Sequence, residues 1–148
     1  MKKSLNYALA YAILAMAGGV FYREFTRANS FDGVTTLGKV HTHFFLLGMV
    51  MYLIIALFMR DNDFSGKRAF KVFRAVYNTG VPLTGIMLGV RGVFEVLGTE
   101  LSKGASAAIS GIAGIGHFLT GMGIVMLILI FKDCAVKKDG GKGDTYPT

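Results

Sequence analysis

The chain has 148 residues, 53% of them apolar, with a mean hydropathy of +0.52 and a formal net charge of +7. Its apolar residues are gathered into four blocks of about 20, the length a helix needs to cross a bilayer core of about 30 Å. Such blocks exclude an ordinary soluble domain, and they exclude a membrane β-barrel, whose strands alternate over segments of about ten residues. The expectation is therefore an all-α integral membrane four-helix bundle: a four-span domain at residues 1–132, followed by a disordered cytoplasmic tail at 133–148.

The first span is expected at residues 5–22, behind Lys2 and Lys3. Ala15-Met16-Ala17 has the form of a leader-peptide cleavage site. The apolar run nevertheless continues through Tyr22 to Arg23 and Glu24, which makes it a full span. A loop containing Asn29-Ser30-Phe31-Asp32-Gly33 follows, rich in turn formers. The second span, 40–59, carries two of the three histidines of the chain, His41 and His43, in its first turn. The loop at 61–67 is short, so spans two and three should be antiparallel neighbours.

The third span, 75–97, contains Pro82, which should kink it and loosen the carbonyl of Asn78. It also carries Gly85 and Gly89, spaced for close helix packing. The fourth, 106–131, is rich in small residues (Ala107, Gly111, Gly114, Gly116, Gly121, Gly123) and holds His117. Beyond it lies Cys134, the single cysteine, which excludes a disulfide within one chain and reads as a free thiol beside the membrane. The stretch KKDGGKGDTYPT has almost nothing to bury and is expected to be disordered.

Charge sets the orientation. With alternating spans, eleven Lys and Arg fall on the side of the termini and five on the other. The positive-inside bias then puts both termini in the cytoplasm of a cell (inner) membrane. Basic residues at 67–74 meet anionic lipid headgroups, and nucleic acid is not an expected partner. Partners beyond the lipid bilayer would be a second copy of the chain or a larger membrane complex.

Depth identifies a candidate site. At about 1.5 Å per residue, His43 stands about 25 Å above Arg60, His117 about 22 Å above Lys132, and Arg91 about 25 Å above Arg74. Tyr22, His41 and Glu95 lie slightly higher. Three spans thus place ionisable groups in one layer near the outer face, where such groups are costly unless paired or used. Arg91 and Glu95, one turn apart, form a natural ion pair. His41 and His43 are about 200° apart on a helix and must point to opposite sides. With His43 turned inward and His117 across the bundle, the spacing suits two axial ligands of a b-type haem, with Arg91 and Arg23 meeting its propionates. A copper or zinc site from His41, His43, His117 and Glu95 is harder to build without a thiolate nearby.

The stretches LNYALAYAILAMAGGVFYREF and VHTHFFLLGM resemble a family of small bacterial four-span integral membrane proteins of unknown function, over most of the chain up to Lys132. Locally, VHTHFFLLGMVMYLI is similar to the His-x-His helix of the haem–copper oxidase catalytic subunit, in which histidines two apart serve separate metal centres. That resemblance implies metal-binding roles for His41 and His43. It spans about 15 residues, and three histidines on four spans are too few for the oxidase ligand set.

Three functions remain open from the sequence. One is a haem protein acting in electron transfer, haem handling or redox sensing through His43 and His117. Another is a small transporter or accessory subunit with a polar cavity lined by His41, His43, Arg91, Glu95 and His117. The third is a membrane-assembly or partner-binding protein with no chemistry, in which the polar layer only pins helix register. A hydrolase is not expected, because no nucleophile, base and orienting group occur together.

Overall fold

The computed structural model describes residues 1–140, with side chains through residue 137. It contains four helices long and apolar enough to cross a membrane, and no strand among the described residues. Helix α1 covers Lys2–Ala28, α2 Thr36–Asp61, α3 Arg68–Leu97 and α4 Lys103–Gly140. The four expected spans lie inside these helices, which overrun them because a helix need not stop where the bilayer does.

Helix α1 continues through Arg23 to Arg27 because no breaker intervenes before Asn29. There the Asn29 amide donates 2.8 Å to the carbonyl of Phe25, and Ser30 turns the chain with φ 48°. Helix α3 starts earlier than expected because Phe70 and Phe73 are buried within its charged first turns. Helix α4 runs on to Gly140, into the stretch expected as a disordered tail from 133. The reason lies in what that stretch touches. Asp133 accepts from Lys67 at 2.9 Å and pairs with Lys137 one turn on at 3.5 Å, while Cys134 is buried. The remainder of the expected tail, 141–148, lies outside the described residues.

Helix α2 is not uniform. A 3-10 turn at Thr36–Gly38 leads into α-helix at Lys39–His43, a π-helical segment at Phe44–Val50 and α-helix again at Met51–Asp61. The wide segment coincides with two tight contacts. Gly48 meets the ring of Tyr11 so closely that no side chain would fit, and the ring of Phe44 occupies the space beside Gly85. Inside the same segment the carbonyl of Leu47 accepts a 2.7 Å hydrogen bond from the Tyr77 hydroxyl. Such π turns cluster at functional sites, and this one begins directly after His43.

Helices α1 and α2 pack together, α2 lies against α3, and α4 runs along α3. Lipid gives no hydrophobic push between helices, so close backbone approach through small residues supplies the packing energy. Gly80 faces Thr120, Gly116 faces Thr84, and Gly123 faces Tyr77 along the α3–α4 seam. Of the Gly85–Gly89 pair, Gly85 is filled by the ring of Phe44 of the same chain, while a Cβ on Gly89 would meet only Val40, at 3.9 Å. Helix α3 passes unbroken through Pro82. At the end carrying the termini, Phe64 from the short loop is fully buried and plugs the bundle. Its ring lies 5.1 Å from Phe70 and 5.9 Å from both Phe58 and Phe131.

Candidate functional site

The polar layer sits in the half of the bundle away from the termini, and the structure distributes its members among several tasks. His43 lies at the end of the α-helical turn before the π segment. Its Nε2 is 2.9 Å from the carbonyl of Val81, on α3. A carbonyl only accepts, so Nε2 carries the proton and donates. His117, on α4, places Nδ1 2.9 Å from the carbonyl of Ala113 one turn back, and donates from that nitrogen. In neutral rings this leaves a lone pair on Nδ1 of His43 and on Nε2 of His117.

The two imidazoles stand at one level. His43 reaches the turn of α3 at Val81, while Gly80 and Thr84 of that turn meet Thr120 and Gly116, beside His117. His117 is within electrostatic reach of His43. His43 is half-buried and His117 exposed on the isolated chain. On the same turn of α3, the hydroxyl of Thr84 faces Gly116 and is fully buried with no hydrogen-bond partner.

His41 turns the other way, as the 200° separation requires. Its side chain lies against Gly19 of α1, where an added Cβ would sit 3.6 Å from the Cβ of His41 and 3.8 Å from the Cγ of its ring, and its buried Nδ1 has no partner. Arg91 and Glu95 do not pair, contrary to the expectation from their spacing. Arg91 reaches across to α4, donating 2.7 Å to the Ser110 hydroxyl and 3.4 Å to the carbonyl of Ser106. Glu95 instead accepts from the backbone N–H of Thr36 at 2.6 Å and from its hydroxyl at 3.0 Å. It thereby satisfies a donor that the start of α2 would otherwise leave bare, a better use of a carboxylate than an exposed ion pair. Arg23 stands on α1, not in a loop, and its nearest carboxylate is Glu24 at 3.9 Å, both well exposed.

Among the described residues no three His, Cys, Asp or Glu side chains come together as a metal site. The copper or zinc arrangement from His41, His43, His117 and Glu95 is therefore not assembled: His41 faces α1 and Glu95 caps α2. What remains is a pair of imidazoles on α2 and α4, with Arg91 held on the α4 side. His117 is already in the state a metal ligand needs, its second nitrogen fixed by a carbonyl. His43 keeps the lone pair of Nδ1 free when its Nε2 donates to Val81, so that nitrogen would be the one it offers to a ligand.

A second polar cluster, absent from the expectations, occupies the middle of the bundle. The Tyr11 hydroxyl donates 2.9 Å to Asn78 on α3, and Tyr77 donates to Leu47. Tyr52 is fully buried and its hydroxyl has no partner. Tyr7 stacks on Tyr52 at 5.0 Å and Tyr11 on Tyr52 at 5.9 Å. The signal was available in the letters: Tyr7 and Tyr11 are one turn apart, Tyr52 sits well inside the second span, and Tyr77 lies in the first turn of the third.

A family described as a protein of unknown function, DUF2871, matches residues 1–134, and the chain belongs to it. No curated protein and no solved structure matches the chain.

Proposed function

We propose that this protein is a multi-pass membrane protein that binds a b-type haem between α2 and α4, for electron transfer, haem handling or redox sensing. The observation that carries the reading is the pair His43 and His117: His43 on α2 and the turn of α4 beside His117 meet the same stretch of α3, and one nitrogen of each ring is tied to a backbone carbonyl. A bound haem would supply one-electron redox chemistry at its iron. The part of the chain is to hold and insulate it. His117 presents Nε2, oriented by the Ala113 carbonyl, and His43 presents the second nitrogen. Arg91 offers a guanidinium to the propionate carboxylates, which suit its planar fork. The open space beside Gly111, Gly114 and Gly121 leaves room along α4 for a flat ring. The eleven-to-five division of Lys and Arg supports cytoplasmic termini and residence in the cell membrane.

The test is an optical spectrum of the purified protein after growth with added haem precursor. The reading requires a Soret band that His41→Ala retains and that His43→Ala and His117→Ala each weaken or abolish. A colourless wild-type protein, or a band untouched in both of the latter variants, contradicts it. The competing reading, a small transporter or accessory subunit, draws on a cleft of about 260 Å³ beside Arg91, Glu95 and Glu100. His41 stands apart from that cleft, against α1. Solute flux in proteoliposomes that Arg91→Leu abolishes would favour it.

A further inference from the structure

At the opposite end of the bundle, four cations surround one recess. Lys2 and Lys3 come from the first turn of α1, and Lys71 and Arg74 from the first two turns of α3. Together with Ser65 and Tyr7 they line a pocket of about 380 Å³. Met1, Ser4 and Gly66 complete the lining, together with an apolar side formed by Met59 and the buried ring of Phe70. Among the described residues none of these four cations makes an ion pair.

The neighbouring charges are already committed. Lys67 donates to Asp133 at 2.9 Å, which holds its ammonium above the usual lysine range. Asp63, in the adjoining loop, accepts from the Ser65 hydroxyl at 2.9 Å and from its N–H at 3.2 Å. Those bonds keep its carboxyl below the usual carboxylate range and turn it onto its own loop. Four like charges around one recess repel each other, and among the described residues no carboxylate pairs with them. An anion with several acceptor oxygens would relieve that repulsion and suits both ammonium and guanidinium groups.

We infer that this recess is a binding site for the phosphate headgroup of an anionic phospholipid, held by Lys2, Lys3, Lys71 and Arg74. The inference does not depend on the haem reading. Two observations favour a lipid over a soluble phosphate. The recess lies where the apolar spans end, at the height of headgroups, and one of its walls is apolar, suited to the glycerol and the first methylenes of an acyl chain. The basic end of a membrane protein also faces the leaflet whose anionic lipids attract it.

The experiment is native mass spectrometry of the full chain in detergent, titrated separately with phosphatidylglycerol, phosphatidylcholine and inorganic phosphate. The site predicts phosphatidylglycerol retained at least tenfold more strongly than phosphatidylcholine. It predicts that this preference is lost in Lys71→Gln/Arg74→Gln and in Lys2→Gln/Lys3→Gln, and kept in Lys137→Gln, whose cation lies away from the recess. Circular dichroism verifies folding. If the Lys71→Gln/Arg74→Gln chain unfolds, Lys71→Gln alone serves, because that side chain is exposed. Equal retention of the two lipids, or a preference surviving both double variants, overturns the inference. Saturation by inorganic phosphate with no preference for the anionic lipid overturns the lipid assignment in favour of a soluble phosphate ligand.

Discussion

Replacing Gly80 by Ala tests whether close backbone contact holds α4 to α3. A Cβ on Gly80 would lie 2.6 Å from the backbone nitrogen of Thr120, 2.8 Å from its Oγ1 and 2.9 Å from the carbonyl oxygen of Gly116. Two of those three atoms belong to backbone, so no change of rotamer relieves the clash. Heavy atoms prefer about 3.5–4.0 Å, and the helices must therefore part locally by roughly 1 Å. A gap of about 0.5–1 Å forfeits a quarter to a half of each dispersion well along the seam, and overpacking of this kind costs about 1–3 kcal/mol. Gly114 provides the control, since nothing lies within 4 Å of a Cβ placed there. Ala at that position removes the helix penalty of glycine, up to about 1 kcal/mol in the stabilising direction. Unfolding by SDS in mixed micelles, followed by circular dichroism, should give Gly80→Ala a clearly lower midpoint than wild type and Gly114→Ala one equal or higher. Identical midpoints for the two variants would refute the packing argument. The same displacement shifts His117 relative to His43, so retention of the proposed haem should fall in Gly80→Ala.

Phe64→Ala removes a fully buried ring from the loop that plugs the bundle and should cost about 3–5 kcal/mol in the same assay. Glu95→Ala strips the acceptor from the N–H and hydroxyl of Thr36 and should cost about 1–2 kcal/mol, while Glu95→Gln, which keeps an acceptor oxygen, costs less. The loop between α2 and α3 should depend on pH at both extremes. Asp63 has a depressed folded pKa, so its contribution is present above the unfolded value and is lost as pH falls through the folded one, below 3.8. Lys67 has a raised folded pKa, so its tie to Asp133 is complete below the unfolded value and is lost as pH rises through the folded one, above 10.5. Loop mobility read by spin labels at position 62 should be lowest between those limits, and a mobility that does not change with pH would contradict the assignment.

The helices were legible because lipid leaves a chain few choices: every backbone group must be satisfied within its own span, and long apolar blocks can only be helices. Their ends were less legible. Helix α4 runs past the bilayer because Asp133 finds Lys67 and Lys137, partners that a hydropathy pattern does not weigh. The π segment after His43 accompanies contacts of Gly48 with Tyr11 and of Gly85 with Phe44, between residues far apart in sequence. The opposite directions of His41 and His43 follow from helix geometry alone and were readable. The fates of Arg91 and Glu95 were not: spacing makes them neighbours, but Ser110 on α4 and the bare N–H of Thr36 are better partners, and only tertiary structure brings those near. The tyrosine cluster was overlooked for a different reason. Charge and imidazole mark a polar layer clearly, whereas a phenol inside a span passes as an apolar ring until its hydroxyl is seen to need a partner.

The central proposal is that His43 on α2 and His117 on α4 can both reach one metal. Near-infrared magnetic circular dichroism of the oxidised, haem-loaded protein measures this directly, because the position of the charge-transfer band reports the axial ligands. The account predicts a low-spin signature of two imidazoles in wild type, converted to a high-spin form in His43→Ala and restored when free imidazole is added. A wild-type spectrum of any other ligand pair, or no stoichiometric haem in the purified protein, would contradict it.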